Sequence, residues 1–259
     1  MSGRRPFASL AQGVRTVVRD PRDAARAAAA RAVVERYVRP GARLALGTGS
    51  TAEQAVRAIR AVHPSASFDC VASSAATERL AASLGFPVRP LRGDDRFDLM
   101  VDGADEVAPS LDLTKGGGGA LLREKLLAGL SARLVIVVDE SKLVDALGQR
   151  APVPVEVVPY CRPVLERELT ARGFAPRLRI APGGGAYRTE NGNELLDLVP
   201  GTPIRRPAEV DRELRATVGV VETGLFVGLA ERVVIGASDG TVRELVRSPP
   251  EAGDRPVVR

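Results

Sequence analysis

Leu44-Ala45-Leu46-Gly47-Thr48-Gly49-Ser50-Thr51, followed by a helical stretch over residues 52–62, states the rule by which this chain is built: a short apolar strand, a glycine-rich turn, a helix. The rule repeats. Residues 68–73 precede a helix near 75–84, and residues 97–102 precede a glycine run and a helix near 119–130. A further strand spans residues 133–139, where Leu134-Val135-Ile136-Val137-Val138 is apolar without interruption. Strands with no polar face, alternating with helices, require cover on both sides, which is the condition of a parallel sheet. The predicted fold is therefore α/β, a doubly wound, mostly parallel sheet of Rossmann-like class. Upstream, the alanine-rich residues 23–38 form a helix by propensity, and Pro40-Gly41 stops it.

The pattern changes at Pro152-Val153-Pro154-Val155-Glu156-Val157-Val158-Pro159. Residues 151–222 read as a smaller inserted α+β subdomain, with a helix over 163–172, a strand at 178–181, and an Asn191-Gly192 turn before Glu194-Leu195-Leu196-Asp197-Leu198 that signals a hairpin. Apolar Val233-Val234-Ile235 and a second hairpin signal at Asp239-Gly240 return the chain to the first sheet, giving an α/β unit of residues 23–150 plus 223–247. Residues 1–22 are expected to be a mobile arm and residues 248–259 a loose tail.

Composition narrows the function. No apolar run approaches the ~20 residues that cross a bilayer, and no signal-peptide core follows the N-terminus, so a cytoplasmic location is expected. The net charge is +5, but the arginines are scattered and aromatic residues are only 3% of the chain, which argues against a nucleic-acid surface. Cys70 and Cys161 lie far apart with no metal-ligand spacing, and are expected to be free, buried thiols. The single histidine, His63, falls in a loop and is expected at the surface, which disfavours a histidine base. Of 37 basic residues only Lys115, Lys125 and Lys142 are lysine, all within 28 positions. An ammonium is a compact, tunable point charge where a guanidinium is a rigid fork, so these lysines mark a place where arginine does not serve.

That place is Asp102-Gly103-Ala104-Asp105-Glu106 and Lys115-Gly116-Gly117-Gly118-Gly119-Ala120-Leu121-Leu122-Arg123-Glu124-Lys125. Asp102 ends a strand, so Asp102 and Asp105 should point into the crevice at the carboxyl edge of the sheet, where open α/β sheets bind ligands. There they can pair with lysine, hold sugar hydroxyls or bind Mg²⁺. The four glycines have no packing rationale and permit close backbone approach to a ligand. Glu124, expected in the second turn of the following helix, can act as a general base. Gly47-Thr48-Gly49-Ser50-Thr51 sits where strand meets helix and can cradle a phosphate, although it is neither a Walker loop nor a full dinucleotide fingerprint. Asp139-Glu140-Ser141-Lys142 follows another strand, which directs Lys142 to the same crevice. Lys125, rotated ~100° from Glu124 around the helix, is assigned to a solvated face.

Taken in order, these motifs, with Ser73-Ser74-Ala75-Ala76-Thr77, Pro152-Val153-Pro154-Val155-Glu156-Val157, Asn191-Gly192-Asn193 before Asp197, and Gly224-Leu225-Phe226, resemble the ribose-5-phosphate isomerases of the A type from about residue 24 to 240. The resemblance implies a cofactor-free aldose–ketose isomerase of the pentose phosphate pathway, acting on a small sugar phosphate as a homodimer or a dimer of dimers; the composition adds the expectation of no nucleic acid and no membrane, and the lack of a histidine or cysteine cluster, with the enediolate chemistry, the expectation of no metal. The resemblance also implies that Glu124 transfers the proton. It further implies that Thr48, Gly49, Ser50, Thr51 and Lys142 hold the phosphate end. Asp102, Gly103, Ala104 and Asp105, with Lys115, Gly116, Gly117 and Gly118, would hold the reacting end; Asp102, Asp105 and Lys115 join Glu124 as catalytic candidates. Members of that family often carry a lysine where this chain has Arg26 or Arg31, and a histidine where it has Thr223. Three rivals remain on the residues alone. A sugar-phosphate-responsive regulator would need a helix-turn-helix, which the first 40 residues do not offer. An aminosugar-phosphate deaminase would need a histidine that His63 is misplaced to supply, and a non-catalytic phosphosugar module would not need Glu124.

Overall fold

The computed structural model describes residues 21–247, so the arm expected over 1–22 and the tail over 248–259 lie almost wholly outside the described residues; Pro21 and Arg22 already belong to the first helix. That helix, α1 (Pro21–Tyr37), buries Ala25, Ala29, Ala30, Val33 and Val34 as one stripe of small side chains against the sheet. The chain then runs β1 (Arg43–Leu46), α2 (Ser50–Val62), β2 (Asp69–Ala72), α3 (Ala75–Ser83) and β3 (Leu99–Asp102). Two short strands, β4 (Glu106–Val107) and β5 (Leu113–Thr114), precede α4 (Leu121–Leu130) and β6 (Leu134–Asp139). Next come β7 (Val153–Val157), α5 (Arg162–Ala171), β8 (Phe174–Leu178), β9 (Glu194–Pro200), α6 (Pro207–Arg215), β10 (Val220–Thr223), β11 (Leu225–Phe226), β12 (Arg232–Gly236) and β13 (Val242–Val246).

Six strands make the main sheet in the order β13-β12-β6-β3-β1-β2. All neighbours are parallel except β13, which returns antiparallel on β12 through the Asp239-Gly240 turn. Helices cover both faces: α1, α2 and α3 pack on one through Val34, Ile59 and Ala81, and α4 on the other through Leu127 and Ala128. In β6 every residue is buried, and each large apolar side chain so enclosed contributes about 1.5–3 kcal/mol of transfer free energy. From β1 the chain moves outward to β2, then crosses back to lay β3 on the other side of β1. This is the topological switch point, and the crevice it opens lies beyond the carboxyl ends of β1 and β3.

A four-stranded sheet, β10-β7-β9-β8, is antiparallel throughout and packs Leu165 and Leu169 of α5 and Leu214 of α6 against Val155 and Leu196. A three-stranded sheet, β11-β5-β4, joins the two larger ones. The strand expected at 178–181 is instead β8, displaced toward the N-terminus; Pro176 within it masks the strand signal but is tolerated because β8 is an edge. Helix α6 has no counterpart among the elements expected from the sequence. Cys70 is buried, its thiol pushed up to about 12 mainly by that burial, whereas Cys161 is only half-buried. His63 is not on the surface as expected: it ends α2 half-buried, its ring 5.9 Å from Phe68 and edge-on to it.

Candidate active site

Three charged side chains from successive elements, the end of β3, the residue after β5 and the first turn of α4, meet at the switch point. Asp102, fully buried at the end of β3, lies with Oδ2 2.9 Å from Lys115 Nζ, and its Oδ1 accepts the backbone N–H groups of Gly103 (2.8 Å) and Thr48 (3.2 Å). Lys115, 3% exposed, also donates to the Gly103 carbonyl at 2.7 Å and lies 3.4 Å from Glu124 Oε1. The second oxygen of Glu124 is buried and has no hydrogen-bond partner among the described residues.

One ammonium between two buried carboxylates leaves a surplus negative charge, which a low-dielectric site resists. Burial, then the Asp102 carboxylate, push Glu124 up to about 8, against the opposing pull of Lys115. Asp102 is also raised by burial, opposed by Lys115 and by the Gly103 and Thr48 amides. Burial alone would lower the Lys115 ammonium, but Asp102 and then Glu124 hold it above its ordinary value. The cluster thus keeps a permanent cation beside a carboxyl that can exchange its proton near neutrality, an acid–base device.

The loops around this cluster are built to close tolerance. A side chain on Gly47 would place its Cβ 2.1 Å from Asp102 Cγ, so glycine there is the space into which the carboxylate fits. In the glycine run, Gly116 (φ +101°) and Gly119 (φ +83°) occupy the left-handed region, so packing and backbone conformation do demand glycine at two of the four positions. This corrects the sequence reading, which finds no structural reason for the run. Gly117 donates to Asp105 Oδ2 at 2.8 Å, and Gly118 lies against the Thr48 methyl. Asp105 therefore touches the glycine loop and not Lys115 or Glu124. Gly103 abuts Thr51, and Ala104 packs into the core beneath.

The loop at residues 47–49 opens α2 with Gly49 as N-cap and no side-chain cap, leaving the first-turn N–H groups around Ser50 and Thr51 for an anion. Lys142 sits half-buried in a 3-10 turn (Glu140–Lys142) at the carboxyl edge of β6, in no hydrogen bond or ion pair with the other site residues. Helix α4 begins at Leu121, later than expected, so Glu124 is in its first turn. Lys125 overturns the reading of a solvated face: it is 7% exposed, with Nζ 2.8 Å from Glu222 Oε1.

Several contributors escape the sequence reading. The Ser73 and Ser74 hydroxyls bond Thr48 Oγ1 at 2.6 and 2.9 Å. Arg179, paired with Asp197, donates to the Gly116 and Gly117 carbonyls at 3.0 and 3.1 Å. Nothing in the sequence distinguishes Arg179 from the other arginines, whereas Ser73-Ser74 forms a visible motif with no role attached. Among the described residues no group of three or more His, Cys, Asp or Glu side chains is placed to hold a metal ion.

Comparison with known proteins gives a consistent result. The profile of the family described as Ribose 5-phosphate isomerase A (phosphoriboisomerase A) matches residues 69–240. The ribose-5-phosphate isomerase A of Thermomicrobium roseum is 46% identical over 213 residues, covering 82% of this chain and 89% of that one. Among solved structures, a D-ribose-5-phosphate isomerase in complex with phospho-erythronic acid superposes with a TM-score of 0.83 at 33% identity, covering 87% of this chain and 99% of the other. The Plasmodium falciparum ribose 5-phosphate isomerase superposes with a TM-score of 0.82 at 34% identity, covering 86% and 98%.

Proposed function

The chain belongs to the ribose 5-phosphate isomerase A family, and from that membership we propose how its residues interconvert D-ribose 5-phosphate and D-ribulose 5-phosphate. The observation that carries the assignment of roles is Glu124 Oε2, a buried carboxyl oxygen with no hydrogen-bond partner among the described residues, next to a cation and at the sheet's switch point. After the furanose opens, Glu124 removes the proton from C2 to give a cis-enediolate and returns it to C1, while the C2 hydroxyl proton passes to O1, so that C1 becomes the alcohol and C2 the carbonyl. Lys115, held by Asp102 and the Gly103 carbonyl, faces the oxygen on which negative charge develops; a preorganised cation in a dry site is the strongest stabilisation open to such a reaction. Asp102 Oδ1 accepts the Gly103 and Thr48 amides and Oδ2 is held in the ion pair with Lys115 at 2.9 Å, so its part is to fix Lys115. Asp105 uses one oxygen on Gly117, which leaves the other to carry the proton from the anomeric hydroxyl to the ring oxygen as the furanose opens.

At the opposite end, Thr48, Gly49, Ser50 and Thr51 hold the phosphate on the uncapped start of α2, with Lys142 approaching from the end of β6. That a relative was solved with phospho-erythronic acid supports a site that takes a phosphate at one end and a carboxylate-like anion at the other. No helix among the described residues is long and apolar enough to cross a membrane, and a cytoplasmic enzyme is proposed. The exposed Tyr160, Val164 and Val218, at 93, 49 and 89% exposure, support a homodimer.

The experiment is a coupled assay of ribulose 5-phosphate formation from ribose 5-phosphate, before and after exhaustive chelation. Full activity in both is expected; activity lost on chelation and restored by Mg²⁺ or Mn²⁺ would turn Asp102 and Asp105 into metal ligands. Gly47→Ala supplies a structural test. Its methyl must displace Asp102 from Lys115, so kcat/KM should fall by ~10²-fold with circular dichroism unchanged. Normal turnover would mean that the placement of Asp102 does not matter.

A further inference from the structure

Lys125 is one of three lysines in the chain, is nearly inaccessible, and touches nothing the reaction is proposed to use. Its ammonium is enclosed by Glu222 Oε1 at 2.8 Å, Thr223 Oγ1 at 3.3 Å and Asp211 Oδ1 at 3.5 Å. Three acceptors converging on one nitrogen suit the three protons of an ammonium and not a planar guanidinium. Arg215, 3.6 Å from Glu222 and 3.8 Å from Asp211, balances the second carboxylate. Asp211 also bonds the Thr223 hydroxyl, which joins α6 to the end of β10.

The segment this cluster grips leads directly to Lys115. Thr223 is followed by Gly224, whose carbonyl accepts the Lys115 N–H at 2.8 Å, and then by Leu225 and Phe226, which pair with Thr114 and Leu113. The fully buried ring of Phe226 has its centroid 5.1 Å from Lys125 Nζ and 5.4 Å from Lys115 Nζ. Lys125 is also the residue after Glu124 on α4. Backbone and ring together thus tie the helix that carries Glu124 to the end of β5, which Lys115 directly follows.

We propose that Lys125 is a positioning residue that holds the Glu124 carboxyl and the Lys115 ammonium at their working separation, by clamping α4 to residues 222–226. This rests on the reading of Glu124 as the base. The groups that face Glu124 are Lys115, Asp102 and, at longer range, Asp105; those that face Lys125 are Glu222, Asp211 and, through them, Arg215. Without the clamp Lys115 drifts from Glu124 and its opposing pull weakens, so the carboxyl holds its proton to higher pH.

The test measures kcat, KM and the pH profile of kcat/KM for Lys125→Met and Lys125→Arg, with thermal melts, beside Glu124→Gln. Expected in both Lys125 variants are a fall in kcat of about tenfold at neutral pH with KM nearly unchanged, and an acid limb displaced upward by about half a pH unit. Should neither variant fold, Glu222→Gln, which removes the partner and keeps the lysine, must show the same displacement. A lowered Tm with normal kcat and an unmoved acid limb would overturn the proposal, making Lys125 a packing residue only. The two readings fail separately: an active Glu124→Gln removes the base, whereas an inactive Glu124→Gln beside Lys125 variants with normal profiles removes only the clamp.

Discussion

Glu124→Gln should lower kcat by ~10²–10⁴-fold while KM for the sugar phosphate stays nearly constant. The amide keeps the shape of the side chain and its neighbourhood with Lys115, but it cannot take the C2 proton. Solvent deuterium incorporation at C1 or C2 should fall in parallel, since exchange and isomerisation share the same proton transfer; near-normal exchange would pass the role to Asp105. In the wild type the base must be ionised, so kcat/KM should rise with pH through the region near 8 to which burial and Asp102 push this carboxyl. Stability runs the other way. A carboxyl whose folded value lies above the ordinary 4.5 stabilises the fold below 4.5, and that contribution is lost as pH rises through about 8. The glutamine variant does not titrate, so its Tm relative to wild type should climb between pH 5 and pH 9.

Lys115→Arg should cost ~10²-fold in kcat/KM, about 2.7 kcal/mol of transition-state stabilisation, although it conserves charge. The Nζ atom is enclosed by the Gly103 carbonyl at 2.7 Å, Asp102 at 2.9 Å, Glu124 at 3.4 Å and the Phe226 ring at 5.4 Å. A guanidinium is wider than this space and directs its donors in a plane. To enter, it must push Asp102 or Glu124 aside. Lys142 is half-buried and in no ion pair with the other site residues, so no buried partner has to move for a larger group; Lys142→Arg is the internal control and should lose far less. Equal losses at the two positions would mean that bulk at Lys115 is not what matters.

The sequence carried the architecture because its signals are local. A strand apolar on both faces can only be central in a covered parallel sheet, and Gly47, Asp102 and Lys142 stand at the ends of such strands, so their position at the carboxyl edge follows from order along the chain. The glycine run and the helix after it likewise placed Glu124 beside the crevice. What tertiary structure alone decided is which charges meet and which are buried. Lys125 reads as exposed on helical spacing, and becomes buried because Glu222 and Asp211, 97 and 86 residues away in sequence, close over it. Arg179 reaches the glycine loop across 62 and 63 residues, and Asp102 and Glu124 share the Lys115 ammonium only after β3, β5 and α4 have packed. Periodicity encodes the face an element turns to its core, because a side chain's direction is set by its own backbone. Ion pairing and proton affinity depend instead on distance and desolvation, which the chain acquires only when remote segments are brought within a few ångströms.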